Sequence, residues 1–215
     1  MNKSFVVKAG AYGFAAAAIS FVVIAILAMT ANFADPFDEI LSGRIVPGAD
    51  EFNNYISLLP ALHIADNLLI FGWIAGWIGA SILIGKRYRA FGKIILVLGL
   101  IGPLLDFLEN EISWALVDIF ARETGTPPDL YALWKIVRSV SYIVPYCAAI
   151  LAGIGIWDKR PFDKIIACIS SIGAVMAMPG IYIPGIWIIS QAWWLIWFAS
   201  LSIYIFRRAK NADIE

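Results

Sequence analysis

The sequence predicts an all-α fold, a polytopic membrane helix bundle with six transmembrane helices. Hydrophobic residue types make up 61% of the 215 residues, whereas charged types make up only 15%. Soluble domains are about 45–50% apolar and about 25% charged. This composition therefore excludes a soluble domain, a disordered chain and a disulfide-rich secreted module. The formal net charge is zero, so no nucleic-acid partner is expected on electrostatic grounds.

Six apolar segments account for this composition, and residues 1–215 are predicted to form a single integral membrane domain. The segments cover about residues 9–31, 60–84, 92–117, 130–157, 165–183 and 186–206. Each reaches the ~20 residues needed to cross the ~30 Å hydrocarbon layer, with the fifth near the lower limit. Backbone groups inside a bilayer must be satisfied within their own segment, so all six are predicted to be helices.

The first segment could also be interpreted as a secretory signal. It follows Lys3 and Lys8, and small residues lie near its end at Ala31 and Ala34. Its apolar stretch is longer than the roughly 7–15 residues of a signal-peptide core. We therefore predict an uncleaved first span, whereas cleavage would leave five spans. An acidic outer loop, residues 32–59, is predicted to connect the first span to the second.

The basic residues between the segments predict that both termini are cytoplasmic. Lys and Arg are enriched in the cytoplasmic loops of membrane proteins. Twelve of the 16 Lys and Arg residues lie before the first segment, at the connection between the second and third (with Lys93 just inside the third), between the fourth and fifth, or after the sixth. The loops on the other side are mainly acidic. The sequence therefore predicts a multi-pass protein in contact with the lipid bilayer, with both termini inside.

Three of the segments carry polar side chains at the same offsets of zero, three and four residues. The second segment has His63, Asp66 and Asn67, the third has Asp106, Glu109 and Asn110, and the fourth has Lys135, Arg138 and Ser139, followed by Tyr142. Residues at these offsets share one face of a helix. Charged residues within a span are rare and usually face the bundle interior or a water-filled cavity. We therefore expect one buried polar cluster between these three helices.

The depth of each residue along its helix predicts how the charges pair. Counted from the outer ends at ~1.5 Å per residue, Asp66 lies ~9 Å deep and Lys135 ~8 Å. Glu109 and Arg138 both lie ~12 Å deep, so two ion pairs are predicted, although partners within one turn can exchange. Three carboxylates then face two cations. The surplus acid requires a proton, a protonated histidine or a bound cation. Asp106, the deepest at ~17 Å, is the expected proton carrier.

Other residues of these helices are assigned to packing or to the interface. Glu111 points off the polar face and is expected to reach the membrane surface. Gly72 and Gly76 lie opposite Asp66 at GxxxG spacing, which favours close internal packing over a dimer contact. Trp73 and its neighbour one turn on, Trp77, either close the cluster toward the cytoplasm or fill the core. The sixth segment carries three more tryptophans, which favour packing or lipid contact over a pigment or quinone pocket.

The sequence lacks the motifs that identify common metal, haem and nucleophile sites. It contains a single histidine and no CxxC, HExxH, Walker or GxSxG pattern. We therefore predict no cofactor, no metal ligand and no catalytic residue.

The segment Leu104–Asn110, LLDFLEN, resembles the D-x-x-E-N signature of some small uncharacterised bacterial multispan membrane proteins. The resemblance covers one helix. It implies a bacterial cytoplasmic (inner) membrane location, and it carries no particular activity with it.

Three functions fit the predicted polar cluster. The preferred one is a small transporter or a protein that binds an ion, a proton or a small ligand, with Asp106 and Glu109 binding and Arg138 and Lys135 as counter-ions. The alternative is an accessory or assembly subunit of a larger membrane complex, or a homo-oligomer, whose ion pairs fix helix packing. The third is a membrane-embedded lipid-modifying enzyme that uses a carboxylate or His63 as acid or base. The missing nucleophile and metal motifs disfavour an enzyme.

Overall fold

A computed structural model of the protein describes residues 3–30, 50–122, 128–181, 183 and 187–212. Within these residues the chain forms six long α-helices and no strand. They are α1 (Lys3–Thr30), α2 (Asp50–Arg87), α3 (Arg89–Arg122), α4 (Pro128–Ile156), α5 (Pro161–Ala177) and α6 (Trp187–Ala212), with a 3₁₀ turn, Met178–Ile181, after α5. Each helix, α5 together with its 3₁₀ turn, contains a stretch long and apolar enough to cross a bilayer. The predicted all-α, six-helix membrane fold is therefore confirmed.

The second helix begins well before its predicted start. It runs from Asp50 through Pro60 without interruption, so the predicted loop over residues 32–59 is wrong from residue 50 onward. The rest of that loop, and the possible cleavage site near Ala31, lie outside the described residues. The extra helical turns form because their apolar side chains recur at helical spacing and pack on α3. The cluster they make is Phe52, Tyr55, Leu59 and Val117.

The helices pack in chain order, and the last one returns to the first. α1 packs along both α2 and α6, which closes the six helices into a ring. α3 lies between α2 and α4 and packs along both, whereas α2 and α4 barely touch. Arg87 at the end of α2 and Arg208 near the end of α6 both form ion pairs with Asp158 in the α4–α5 connection. These three segments therefore share one end of the bundle, called here the basic end.

Small residues allow α1 and α2 to approach closely. A Cβ atom built at Gly72 would lie 2.6 Å from the carbonyl oxygen of Gly13, and one built at Gly10 would lie 2.6 Å from Cα of Gly79. These distances are too short for any real side chain, so the backbones are in direct contact. The glycine face of α2 therefore packs internally on α1, as predicted from its spacing.

The tryptophans of α2 and α6 fill the interior of the bundle. The ring centroids of Trp73 and Trp194 are 5.3 Å apart, as are those of Trp77 and Trp197. Trp193 is also buried and stacks on Tyr146 of α4 at 4.9 Å. Aromatic pairs at these separations add to the stability gained by burial. The packing interpretation of these tryptophans is therefore confirmed.

Candidate functional site

The predicted polar residues lie on three helices that are adjacent in the bundle. Asp106 is close to the middle of α3, about 25 Å from either helix end at ~1.5 Å per residue. α2 flanks α3 on one side and α4 on the other. Polar side chains on α3 can therefore reach either neighbour, whereas those on α2 and α4 meet each other mainly through α3.

The contact between α3 and α4 contains the predicted Glu109–Arg138 ion pair. Arg138 Nε lies 3.7 Å from Glu109 Oε1. The hydroxyl of Ser141 lies 3.0 Å from the other carboxylate oxygen of Glu109 and 2.9 Å from the carbonyl oxygen of Arg138, and it can donate to either. Glu109 and Ser141 are both buried. A buried ion pair of this kind holds two helices in one relative position, because separating the charges in hydrocarbon is costly.

Two aromatic side chains also lie close to the Arg138 guanidinium. Its central carbon lies 4.8 Å from the ring centroid of Trp134 and 5.9 Å from that of Tyr142, both on α4. Trp134 is itself fixed, since its indole Nε1 donates a hydrogen bond of 2.7 Å to the hydroxyl of Ser113 on α3. The free-energy cost of removing a cation from water is smaller when the cation lies over aromatic faces than when it is isolated. The site thus stabilises a permanent positive charge beside Glu109.

Asp66 on α2 is bound by an amide and not by the predicted lysine. The side-chain amide of Asn110 on α3 donates a hydrogen bond to Asp66 Oδ2. Lys135 points elsewhere and is exposed; its ammonium lies 4.3 Å from the ring centroid of Tyr131 on the same helix. The predicted Asp66–Lys135 ion pair is therefore wrong. The reason is that α3 separates α2 from α4, so equal depth did not bring the two charges together.

Two further sequence interpretations change at the edge of the cluster. His63 Nε2 lies 3.8 Å from Glu111 Oε1, a separation that becomes an ion pair when the imidazole is protonated. Glu111 is half exposed, as expected for a residue near the membrane surface, but it contacts α2 and does not extend freely. The hydroxyl of Ser139 donates to the backbone of its own helix at Lys135. Neither His63 nor Ser139 therefore takes part in the Glu109–Arg138 contact.

The middle of the cluster contains two polar groups without a direct partner in the described part of the chain. Asp106 is half-buried, and it forms neither a hydrogen bond nor an ion pair there. Its charged neighbours are Asp66, Glu109 and Arg138, two carboxylates and one cation. Oδ1 of Asn67, next to Asp66, is buried and accepts no hydrogen bond from a described group. Acceptor oxygens are thus in excess over donors at this level of the bundle.

Sequence reasoning missed one residue of this site and a second polar network. Ser141 lies one turn beyond Arg138, and that spacing could have identified it. At the basic end, Arg208 binds the buried carboxylate of Asp163 and lies 3.6 Å from Asp158, which in turn lies 3.3 Å from Arg87. The backbone N–H of Lys159, and then the guanidinium groups around it, hold the pKa of the Asp158 carboxyl below its ordinary value. Opposite charges on adjacent loops were the available signal for this network.

The grouping of the acidic side chains can be compared with that of metal ligands. Within the ranges that the structure describes, no three His, Cys, Asp or Glu side chains are grouped as metal ligands would be. Asp66 accepts a hydrogen bond from Asn110, and Glu109 is held by Arg138 and Ser141, whereas Asp106 has no donor among the described residues. No protein-family model matches this chain, and neither the curated proteins nor the solved structures yield a match.

Proposed function

We propose that this is a proton-binding membrane protein of the small-transporter class, and that Asp106 carries the proton. The observation that supports the proposal is the position of this carboxyl group. It lies at the middle of a spanning helix beside two other carboxylates, and no described residue forms a hydrogen bond or an ion pair with it.

An unpaired charge inside a spanning helix is energetically unfavourable. A charged side chain at the centre of a span costs about 2.5–3.5 kcal/mol on insertion scales. The Glu109 carboxylate is compensated by Arg138, and that of Asp66 accepts a hydrogen bond from Asn110. Asp106 has no such compensation among the described residues. Binding a proton removes its charge, so the neutral acid is the form that fits this environment.

The groups around Asp106 provide a way to release the proton. The Arg138 guanidinium is fixed by Trp134, Tyr142 and the Glu109 carboxylate. Arg138 is already a charged neighbour of Asp106. A change that separates Arg138 from Glu109 would leave its positive charge less compensated by Glu109, so that it acts more strongly on Asp106 and favours the ionised form. Movement of α4 against α3 would therefore be coupled to release of the proton, which is the requirement for proton-coupled transport.

Proton binding is tested directly by infrared spectroscopy of the purified protein. A protonated carboxyl group gives a C=O band distinct from that of a carboxylate, and the band shifts in heavy water. We expect wild-type protein to show this band at neutral pH and Asp106→Asn to lack it. Asp118→Asn, a change of the same chemistry at an exposed position, is the matched control and should retain it. A band that persists in Asp106→Asn would rule out Asp106 as the carrier.

Transport is tested separately in proteoliposomes that contain a pH-sensitive dye. With an imposed membrane potential, wild-type protein and Asp118→Asn should acidify or alkalinise the lumen faster than empty vesicles, and Asp106→Asn should not. Folded wild-type protein that moves no protons, alone or with candidate solutes, would contradict the transporter class even if the infrared band is present.

A second function is favoured by a different observation. The Glu109–Arg138–Ser141 contact is well paired and buried, as expected of a structural element that fixes the arrangement of helices. An accessory or assembly subunit of a larger membrane complex would use the cluster in this way. That function predicts stoichiometric co-purification with a partner from native membranes, and it predicts that Asp106→Asn leaves the assembly intact.

A further inference from the structure

A groove at the basic end of the bundle is separate from the polar cluster. It lies between α1, the start of α5 and the last turns of α6, and its volume is about 740 Å³. Cavities that hold small molecules are typically about 300–1,000 Å³, so the groove is large enough for a ligand. Its lining changes in character along its length, from charged side chains at the end of the bundle to apolar ones deeper in the membrane-spanning part.

The charged part of the groove has an excess of positive groups. Four cations line it, Arg160, Arg207, Arg208 and Lys210, together with one carboxylate, Asp163. That carboxylate is only 2% exposed and binds Arg208. The remaining three cations form no ion pair with any residue in the described ranges, and the Arg207 guanidinium lies 4.5 Å from the ring centroid of Phe162. Arg160 also acts electrostatically on Asp158, which leaves Arg207 and Lys210 as the groove cations with no acidic neighbour in the described ranges.

The apolar part of the groove continues from these charges toward the middle of the bundle. It is formed by Ala11 and Ala15 of α1 and by Ile203 of α6, with Tyr12 and Phe206 at its edge. The last two rings are 6.2 Å apart, and both are exposed, Tyr12 to 64% and Phe206 to 45%. Along α6 the distance from Lys210 to Ser202 is about 12 Å at ~1.5 Å per residue. A ligand that fills the groove must therefore be anionic at one end and apolar at the other.

We propose that this groove binds an anionic phospholipid of the adjoining leaflet, with the phosphate against Arg207 and Lys210 and an acyl chain along Tyr12 and Phe206. Basic pockets between spanning helices at one membrane surface recognise acidic lipid head groups. The exposed aromatic side chains beside this pocket face the position of the lipid chains, which favours a membrane lipid over a soluble anion. The proposal is independent of any proton bound at Asp106.

The test is a binding titration with the full-length protein in detergent micelles. Fluorescently labelled phosphatidylglycerol is the probe, and the signal is its anisotropy, with labelled phosphatidylcholine as the zwitterionic comparison. Arg207→Gln/Lys210→Gln removes two groove charges. Arg89→Gln/Lys93→Gln removes two exposed charges at the same end of the bundle that do not line the groove. Both double variants change the net charge equally, so non-specific attraction affects them equally.

We expect wild-type protein to prefer phosphatidylglycerol over phosphatidylcholine. Each basic residue near a membrane surface contributes about fivefold to anionic-lipid affinity, so the groove variant should bind ~25-fold more weakly and the control within ~2-fold of wild type. Equal weakening of both variants, or no lipid preference in wild type, would overturn the proposal. Competition by free glycerol phosphate as effective as that by the whole lipid would overturn the lipid assignment.

A second variant tests the site without altering any charge. Ala15→Phe places a large ring in the apolar part of the groove and should reduce phosphatidylglycerol binding while thermal unfolding remains cooperative. Retention of wild-type affinity in folded Ala15→Phe would show that the acyl chain lies elsewhere and would contradict the proposal, even if the double charge variant proves unstable.

Discussion

Arg138 Nε lies 3.7 Å from Oε1 of Glu109, and this pair joins α4 to α3 in the spanning part of the bundle. The exposed fraction is 22% for the Arg138 side chain and 11% for the Glu109 side chain. Each of two charges so far removed from solvent is stabilised mainly by the other. Replacing a buried pair with apolar residues is often tolerated, but removing one partner leaves the other charge without compensation.

Glu109→Ala should therefore destabilise the protein much more than Glu111→Ala. Loss of one partner of a buried pair lowers the free energy of unfolding by about 3–5 kcal/mol. Because Arg138 keeps some exposure to solvent, we expect a value at the lower end of this range, ~3 kcal/mol. Glu111 is half exposed, and its charged partner among the described residues is His63, so its loss should cost less than ~1 kcal/mol. Thermal unfolding in detergent measures both. Equal unfolding temperatures for the two variants would contradict the structural role of Glu109.

A double-mutant cycle distinguishes the two possible partners of Asp66. The structure gives a hydrogen bond from Asn110 and no ion pair with Lys135. We expect a coupling free energy of about 1.5–3 kcal/mol between Asp66→Ala and Asn110→Ala, because one partner of the bond is ionisable. The cycle for Asp66→Ala and Lys135→Met should give a value within ~0.5 kcal/mol of zero, as for residues without a shared contact. The reverse result would restore the lysine pairing.

The sequence predicted the helices well because hydropathy acts over many residues. The predicted second segment began too late, because Asp50–Leu59 is polar on one face. The apolar face of this part of α2 is evident only from its packing on Val117 of α3. Helix depth predicted Glu109–Arg138 correctly, since α3 and α4 are neighbours. Depth gave the wrong partner for Asp66, because height along a helix contains no information on which helices are adjacent.

The Asp158 carboxyl makes the stability of the basic end depend on pH. The Lys159 N–H and nearby arginines hold its pKa below the ordinary value in the folded protein. A lowered folded-state pKa stabilises the fold fully above the unfolded-state pKa, near 4, and this contribution is lost as pH falls through the folded-state value. Asp158→Asn should therefore lower the unfolding temperature at pH 7, and the difference from wild type should shrink below about pH 4. A difference that stays constant from pH 7 to pH 3 would contradict this origin.

The close approach of α1 and α2 can be tested by comparing two glycines of α2, Gly72 in the contact and Gly85 outside it. In an open helix, replacing glycine with alanine is favourable by about 0.8–1 kcal/mol. A Cβ at Gly85 would have 3.6 Å to its nearest neighbour, Cα of Gly92, so Gly85→Ala should be neutral or stabilising. A Cβ at Gly72 would lie 2.6 Å from the Gly13 carbonyl oxygen, which is backbone and cannot rotate away.

Gly72→Ala must therefore push α1 away from α2, at a cost of about 1–3 kcal/mol, typical of overpacking. Thermal unfolding should show a lower midpoint for Gly72→Ala than for wild type, and a midpoint for Gly85→Ala that is equal or higher. Adding Ala17→Gly to Gly72→Ala should not restore stability, since the atoms that a Cβ at Gly72 would meet are backbone atoms of Gly13 and Ala17. If Gly72→Ala is as stable as Gly85→Ala, the backbones of α1 and α2 cannot be in contact at this point.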